Sequence, residues 1–171
     1  MANIIPLISA EQINFRLHEI GQDISAIYSG KSLVLVCILK GSFIFTADLA
    51  RHINIPISID FLGTKSYEGS ESSGIVQITH DLTSSIKDKN VLIIEDIIDT
   101  GLTITHILNL LKLREPESIR ICSLLHKPAR TKVPVKIDFR GFTIDDQFVV
   151  GYGLDYDEQY RNLPFIGIIR K

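Results

Sequence analysis

Residues 91–103 read Val-Leu-Ile-Ile-Glu-Asp-Ile-Ile-Asp-Thr-Gly-Leu-Thr, and they gather three carboxylates, two hydroxyls and a glycine into one short stretch. Glu95 and Asp96 are adjacent. Such a pair offers acceptors for both hydroxyls of a sugar diol, and hard oxygen ligands for a cation such as Mg2+. Asp99 stands apart from the pair, behind Ile97 and Ile98, and is a candidate for moving a proton. In Asp99-Thr100-Gly101-Leu102-Thr103, Gly101 permits a tight turn and a close backbone approach. Successive N–H groups of that turn and of a following helix can cradle an anion such as phosphate. Thr100 and Thr103 add hydroxyl donors. Diol acceptors, metal ligands and a phosphate loop together describe a ribose 5-phosphate. As ordinary turn acids beside a helix-capping threonine these residues would bind nothing. A solvated turn, however, gains nothing from Ile97 and Ile98, and carboxylates against an aliphatic strand need polar partners.

The elements that position these groups follow from periodicity. Residues 91–94 form an unbroken aliphatic run, the pattern of a strand buried on both faces, and the carboxylates are expected where it leaves the sheet. Ser9 and Gln12 make a capping box. Ile13, Leu17, Ile20, Ile24 and Ile27 then recur at helical spacing, which predicts a helix over 10–28 ending near Gly30. Further strands are expected at 33–39, 57–62, 75–79 and 119–125, and helices at 43–52 and 104–113. Shorter β-like runs lie at 137–143, 148–151 and 165–169. This alternation predicts an α/β fold, an open, mostly parallel sheet flanked by helices, with a small C-terminal/N-terminal hood subdomain. The whole chain, 1–171, reads as one domain, with a hood segment at about 127–171. Ligands of such sheets bind beyond the carboxyl ends of the strands, which draws Lys40-Gly41-Ser42, residues 95–103 and Lys127 to one edge. Residues 63–74 carry almost no apolar side chains and read as a loop able to act as a lid.

Composition excludes several classes. The chain has 171 residues, 45% hydrophobic and 22% charged, which suits one substantial core. A net charge of -2 provides no global field for nucleic acid or anionic lipid. The longest apolar stretch, residues 33–39, is too short to span a bilayer. Met1-Ala2-Asn3-Ile4-Ile5-Pro6 lacks the basic segment and long apolar run of a signal peptide, so a cytoplasmic location is expected. Cys37 and Cys122 lie inside aliphatic runs without CxxC spacing and read as buried hydrophobes, not as zinc ligands. Neither GxxxxGK[ST] nor a complete GxGxxG occurs.

Residues 91–103 resemble the phosphoribosyl-diphosphate binding motif of type I phosphoribosyltransferases, and the variant Glu-Asp-Ile-Ile-Asp-Thr-Gly is close to that of the hypoxanthine-guanine branch. Four other stretches extend the likeness. Leu39-Lys40-Gly41-Ser42 is similar to the branch's pyrophosphate loop, and Lys65-Ser66-Tyr67 to the tip of its mobile lid. Lys127 matches its purine-contacting lysine. Phe148-Val149-Val150-Gly151-Tyr152-Gly153-Leu154-Asp155-Tyr156, followed by Arg161, is similar to its C-terminal base-binding segment. Two departures stand out: Leu102 sits where some relatives carry a lysine, and Pro128-Ala129-Arg130 after Lys127 differs from the branch's pattern, which implies a different local turn.

The resemblance implies Mg2+-dependent transfer of the 5-phosphoribosyl group from phosphoribosyl diphosphate to N9 of a 6-oxopurine, hypoxanthine and/or guanine. The products would be IMP or GMP and pyrophosphate. It assigns Glu95 and Asp96 to the ribose hydroxyls and Mg2+, Asp99 to N7 as general base, and Thr100, Gly101, Leu102 and Thr103 to the 5'-phosphate. Lys40, Gly41 and Arg161 would bind pyrophosphate, with Lys65, Ser66 and Tyr67 closing as the lid. Lys127 would donate to the purine O6, and Phe148 would stack on the base beside Val149. Asp155 would meet a second Mg2+ through water, or the base. Relatives assemble as homodimers or homotetramers, and partners are small molecules, with neither nucleic acid nor membrane. Two alternatives stay open: a transferase for xanthine or uracil, and a non-catalytic sensor of phosphoribosyl diphosphate. The sensor reading wants an added DNA-binding domain or a basic face, and it has no need of Asp99.

Overall fold

The structure, a computed structural model, describes residues 3–66 and 76–170. In chain order its elements are β1 (Asn3–Ile8), α1 (Ala10–Ile27), β2 (Leu33–Leu39), α2 (Phe43–Arg51), β3 (Ile57–Ser66), β4 (Val76–His80) and β5 (Asn90–Ile98). There follow α3 (Leu102–Lys112), β6 (Ser118–His126), a 3-10 turn (Pro128–Arg130), β7 (Phe139–Thr143), β8 (Val149–Val150) and β9 (Ile166–Arg170).

The aliphatic runs make the middle of a six-stranded sheet, ordered β4-β3-β2-β5-β6-β7. Its pairs are parallel except for β4, which runs antiparallel to β3. Being covered on both faces, β2 and β5 carry no alternation. Their side chains split between two core layers, one under α1 and α2 and one under α3. The capping box closes α1 as its residue types require: Gln12 N–H donates to Ser9 Oγ at 3.3 Å, and Ser9 N–H to Gln12 Oε1 at 2.8 Å. Both cysteines are free and buried. No helix of the described residues is long and apolar enough to cross a membrane.

Three expectations are corrected. First, β5 does not end at Ile94. Pairing with β2 stops there, but β6 carries it on through Glu95↔Ser123, Ile97↔Leu125 and Ile98↔His126. The acid pair therefore sits within a strand that one neighbour has left. The reason is packing, since Ile97 lies against one core layer and Ile98 in the other. Second, β3 continues through Ser66, paired with β4 at Thr64↔Ile78 and Lys65↔Gln77, so the first residues of the expected lid are strand. Tyr67, the rest of that loop and Ile75 lie outside the described residues. Third, β7 joins the central sheet beside β6, not the hood. The expected N-terminal share of the hood is residues 3–8, which pair antiparallel with β9 in a sheet ordered β1-β9-β8.

Candidate active site

The carboxyl ends of β2, β3 and β5 open onto a cleft of about 1180 Å³. Lys40, Gly41, Lys65, Glu95, Asp96, Asp99, Thr100, Gly101, Thr103, Asp155 and Arg161 line it together. Gln77, Thr79, His80 and Glu158, none of them expected from the sequence, complete the walls. Leu102, Lys127, Phe148 and Val149 do not line this cleft.

Burial dominates the acid pair. It pushes the Glu95 carboxyl well above the usual carboxylate range, and the neighbouring charge of Asp96 pushes in the same direction. Asp96 is pushed up to about 6: burial outweighs the hydrogen bond from Ile97 N–H (2.8 Å) and the attraction of Arg161. Glu95 Oε2 is buried without a hydrogen-bond partner. A carboxylate oxygen left so is costly and would be relieved by a cation or a hydroxyl donor. The fit to Mg2+ is therefore good in chemistry and partial in number. Among the described residues no three acidic, histidine or cysteine side chains cluster closely enough to form a metal cage. A hard cation held by one or two carboxylates, with water and substrate oxygens supplying the rest, is the usual Mg2+ arrangement.

The phosphate loop is built on Gly101, the N-cap of α3, at φ +82°. A Cβ there would run into the Val133 carbonyl, so both the conformation and the close approach call for glycine. The loop is strapped from outside: Lys132 and Val133 N–H both donate to Thr100 O, at 2.9 and 3.0 Å. Leu102 N–H donates to Thr100 Oγ1 at 3.4 Å, and with no side chain capping α3 from Gly101 the next first-turn N–H groups, of Thr103 and Ile104, remain available to an anion.

Three backbones meet at the opposite wall. The Leu39–Lys40 peptide is cis. A Cβ on Gly41 would collide with the Asp96 carboxylate, and one on Gly153 (φ +101°) with the Gly41 carbonyl. The C-terminal segment thus lies directly on the loop after β2, which lies directly on the acid pair. Arg161 anchors this stack, with Nη1 donating to Gly153 O at 2.8 Å and Nη2 paired with Asp155 at 2.9 Å. Glu158 bridges the two cations of the wall, 3.0 Å from Lys40 Nζ and 3.4 Å from Arg161 Nη2. Arg161 Nε is buried without an acceptor.

Beyond Asp99 the chain forms a second group of charges. Lys127 N–H donates to Ile98 O at 3.0 Å, which ties the turn after β6 to the end of β5. The Lys127 side chain is buried, with Nζ 4.0 Å from Asp146 Oδ1. Arg130 lies between two acids: its Nε is 3.1 Å from Asp99 Oδ1 and its Nη1 is 3.6 Å from Asp146 Oδ1. No N–H is well directed at Asp99 Oδ1, which is buried with no hydrogen-bond partner. The electrostatic neighbour of Asp99 is thus a guanidinium as well as the acids upstream. Phe148 is 55% exposed and rests edge-on against Tyr156, ring centroids 5.6 Å apart, so it is not core. Val149 is buried in β8 and pairs with Ile168. Glu158 and Asp146 give no signal in the sequence because isolated charges in polar loops carry no periodicity, and Arg130 stands out there only as part of a departure from the family's turn.

Fold and site together define a transferase of phosphoribosyl groups. Residues 9–157 match the phosphoribosyl transferase domain family, and the chain belongs to that family. It is 49% identical over 164 residues to hypoxanthine phosphoribosyltransferase of Buchnera aphidicola subsp. Schizaphis graminum, covering 94% of this chain and 93% of the relative. Its identity to hypoxanthine phosphoribosyltransferase of Haemophilus influenzae is 48% over 165 residues, covering 94% and 92%. A crystal structure of a hypoxanthine-guanine phosphoribosyltransferase from Bacillus anthracis superposes with TM-score 0.95 at 40% identity, covering 99% of this chain and 100% of the other. Within the family the chain falls in the hypoxanthine and hypoxanthine-guanine branch, and it is an enzyme.

Proposed function

We propose that the protein salvages purines by transferring the 5-phosphoribosyl group of phosphoribosyl diphosphate to N9 of hypoxanthine and/or guanine. IMP or GMP forms and pyrophosphate is released. The observation that carries this reading is the single cleft holding Glu95, Asp96, Asp99, the α3 N-terminus, Lys40 and Arg161. In it the acid pair accepts from the ribose hydroxyls, and the 99–103 turn binds the 5'-phosphate through backbone N–H groups. That cradle needs no lysine at Leu102. Lys40, Gly41 and Arg161 receive the pyrophosphate, with Lys65 of β3 beside them and Ser66 and Tyr67 assigned to the lid.

The purine N9 lone pair forms the new bond to the anomeric carbon as the bond to pyrophosphate breaks, the electron pair leaving with pyrophosphate. Asp99 Oδ1, an acceptor with no directed donor, takes the N7 proton. Lys127 donates to O6, Phe148 offers its exposed ring to the base, and Val149 holds that strand in place. Mg2+ held by Glu95 and Asp96, and a second Mg2+ met by Asp155 through water, would neutralise phosphate charge and assist departure of the pyrophosphate.

Purified protein with Mg2+, phosphoribosyl diphosphate and each of hypoxanthine, guanine, xanthine, adenine and uracil tests the reading. Pyrophosphate release with hypoxanthine or guanine is expected, and turnover confined to xanthine, adenine or uracil would refute it. We further propose a cytoplasmic homodimer or homotetramer. The apolar Ile59 and Phe61, both exposed on β3, support a subunit contact, which sedimentation would check.

A further inference from the structure

We propose that Arg130 is a displaceable counter-ion that occupies the proton-accepting edge of Asp99 until a purine replaces it, with Asp146 as the seat to which it moves. The inference rests on the reading of Asp99 as the base that meets the purine.

Four observations carry it. Arg130 Nε sits 3.1 Å from Asp99 Oδ1, within ion-pairing distance, yet that oxygen has no well-directed hydrogen bond. The guanidinium shields the charge and leaves the acceptor unused. Second, the alternative partner is already in place, since Arg130 Nη1 is 3.6 Å from Asp146 Oδ1. A small rotation exchanges one carboxylate for the other without leaving the cation bare. Third, the Arg130 and Asp99 side chains are 48% and 31% exposed, so water screens the pair and little holds it. Fourth, Arg130 N–H donates to Lys127 O at 3.2 Å, which fixes the arginine on the same turn as the lysine assigned to the purine O6.

That last contact gives the exchange a second effect. Lys127 Nζ also looks toward Asp146 Oδ1, at 4.0 Å. When Arg130 moves fully onto Asp146, it competes there with Lys127. One displacement therefore frees the acceptor that N7–H needs and loosens the donor that O6 needs. The incoming base replaces a cation at Asp99 with a neutral N–H donor, while Asp146 keeps the displaced charge paired. Arg130 acts through Asp99 and Lys127 and is a positioning residue.

The test compares wild type, Arg130→Gln, Asp146→Asn and the double variant in steady state, with phosphoribosyl diphosphate saturating and hypoxanthine or guanine varied. Removing the competitor should lower the KM for the base about two- to fivefold, the range of a screened surface pair, and move kcat far less. Removing the alternative seat, Asp146→Asn, should raise that KM by a similar factor. In the Arg130→Gln background Asp146→Asn should no longer raise that KM, because the cation that needed the seat is gone. Added salt should lower the wild-type KM for the base and leave that of Arg130→Gln flat. Melting temperatures of the variants should stay near wild type, because both side chains are about half exposed. A raised KM or a large loss of kcat in Arg130→Gln would overturn the proposal, since the arginine would then bind the base or the transition state. Additive effects in the double variant would overturn it as well. If the wild type turns over an oxopurine and Arg130→Gln changes nothing, the counter-ion role fails alone. Wild-type silence with every oxopurine overturns both readings.

Discussion

Replacing Asp96 with asparagine should make the ligand-free protein more stable, and the pH dependence of the gain is fixed by the structure. The Asp96 carboxyl is raised from an ordinary 3.8 to about 6, chiefly by burial. Its folded value lies above its unfolded value, so the native state holds the proton more tightly than the unfolded chain does. That stabilisation is fully present below the unfolded value and is lost as pH rises through about 6. Each pK unit is about 1.36 kcal/mol, so the ionised carboxylate burdens the fold by at most about 3 kcal/mol above neutrality. Asparagine keeps an oxygen for the Ile97 N–H and carries no charge. At roughly 2–4 °C per kcal/mol for a chain of this size, a rise of several degrees is expected at about pH 8. The gap should close towards about pH 4, where the wild-type carboxyl is protonated as well. Thermal melts of both proteins across that range are the assay. Phosphoribosyl diphosphate with Mg2+ should reverse the order, because only the wild type keeps the charge that the ligand uses. A variant that melts below wild type at about pH 8, or a gap indifferent to pH, would refute the claim that burial of charge dominates Asp96.

Asp99→Asn should lower kcat by roughly 10²- to 10⁴-fold, the usual worth of a general base, while calorimetric binding of phosphoribosyl diphosphate stays near wild type. Parallel collapse of binding would show that Asp99 shapes the phosphate loop and does not move the proton. Gly153→Ala forces a side chain into φ +101° and against the Gly41 carbonyl, so KM for phosphoribosyl diphosphate should rise and stability should fall by about 1–3 kcal/mol. An unchanged KM would mean that the C-terminal segment does not hold the pyrophosphate loop.

What the sequence showed, and what it hid, follows from how each signal is encoded. β2 appears where an unbroken aliphatic run meets Lys40-Gly41, and α1 where Ser9 and Gln12 cap a periodic stripe, because burial and capping leave local marks. β1 leaves none. It is a short edge strand with Pro6 in it, tolerable only because just one side of it is paired, and β9, its partner, lies at the far end of the chain. The end of β3 reads as loop for a related reason. Gly63, Thr64 and Lys65 are polar, and they become strand through the register that β4 imposes. The phosphoribosyl half of the site is contiguous in sequence and therefore legible. The charges that close it are not: Lys40 meets Glu158 across 118 positions, and Arg130 meets Asp99 from another strand's turn.

The groups that lack partners locate the chemistry independently of any motif. Leaving a buried polar atom without a hydrogen bond costs about 1–3 kcal/mol, so such atoms accumulate where a ligand will supply what the chain does not. Among the described residues six side-chain atoms are in that state, and three of them, Glu95 Oε2, Asp99 Oδ1 and Arg161 Nε, belong to this cleft. The first is an acceptor beside a second carboxylate, suited to a hydroxyl or a cation. The second is an acceptor whose neighbouring cation directs no hydrogen to it, suited to a proton. The third is a donor on a guanidinium whose other nitrogens already hold Asp155, Glu158 and Gly153, suited to an anion. Diol or metal, proton and phosphate are also the three chemistries that the residue types of 95–103 offer. Sterically unrelated positions on β5 and on the C-terminal segment reach that agreement separately, which random vacancies in a fold would not do.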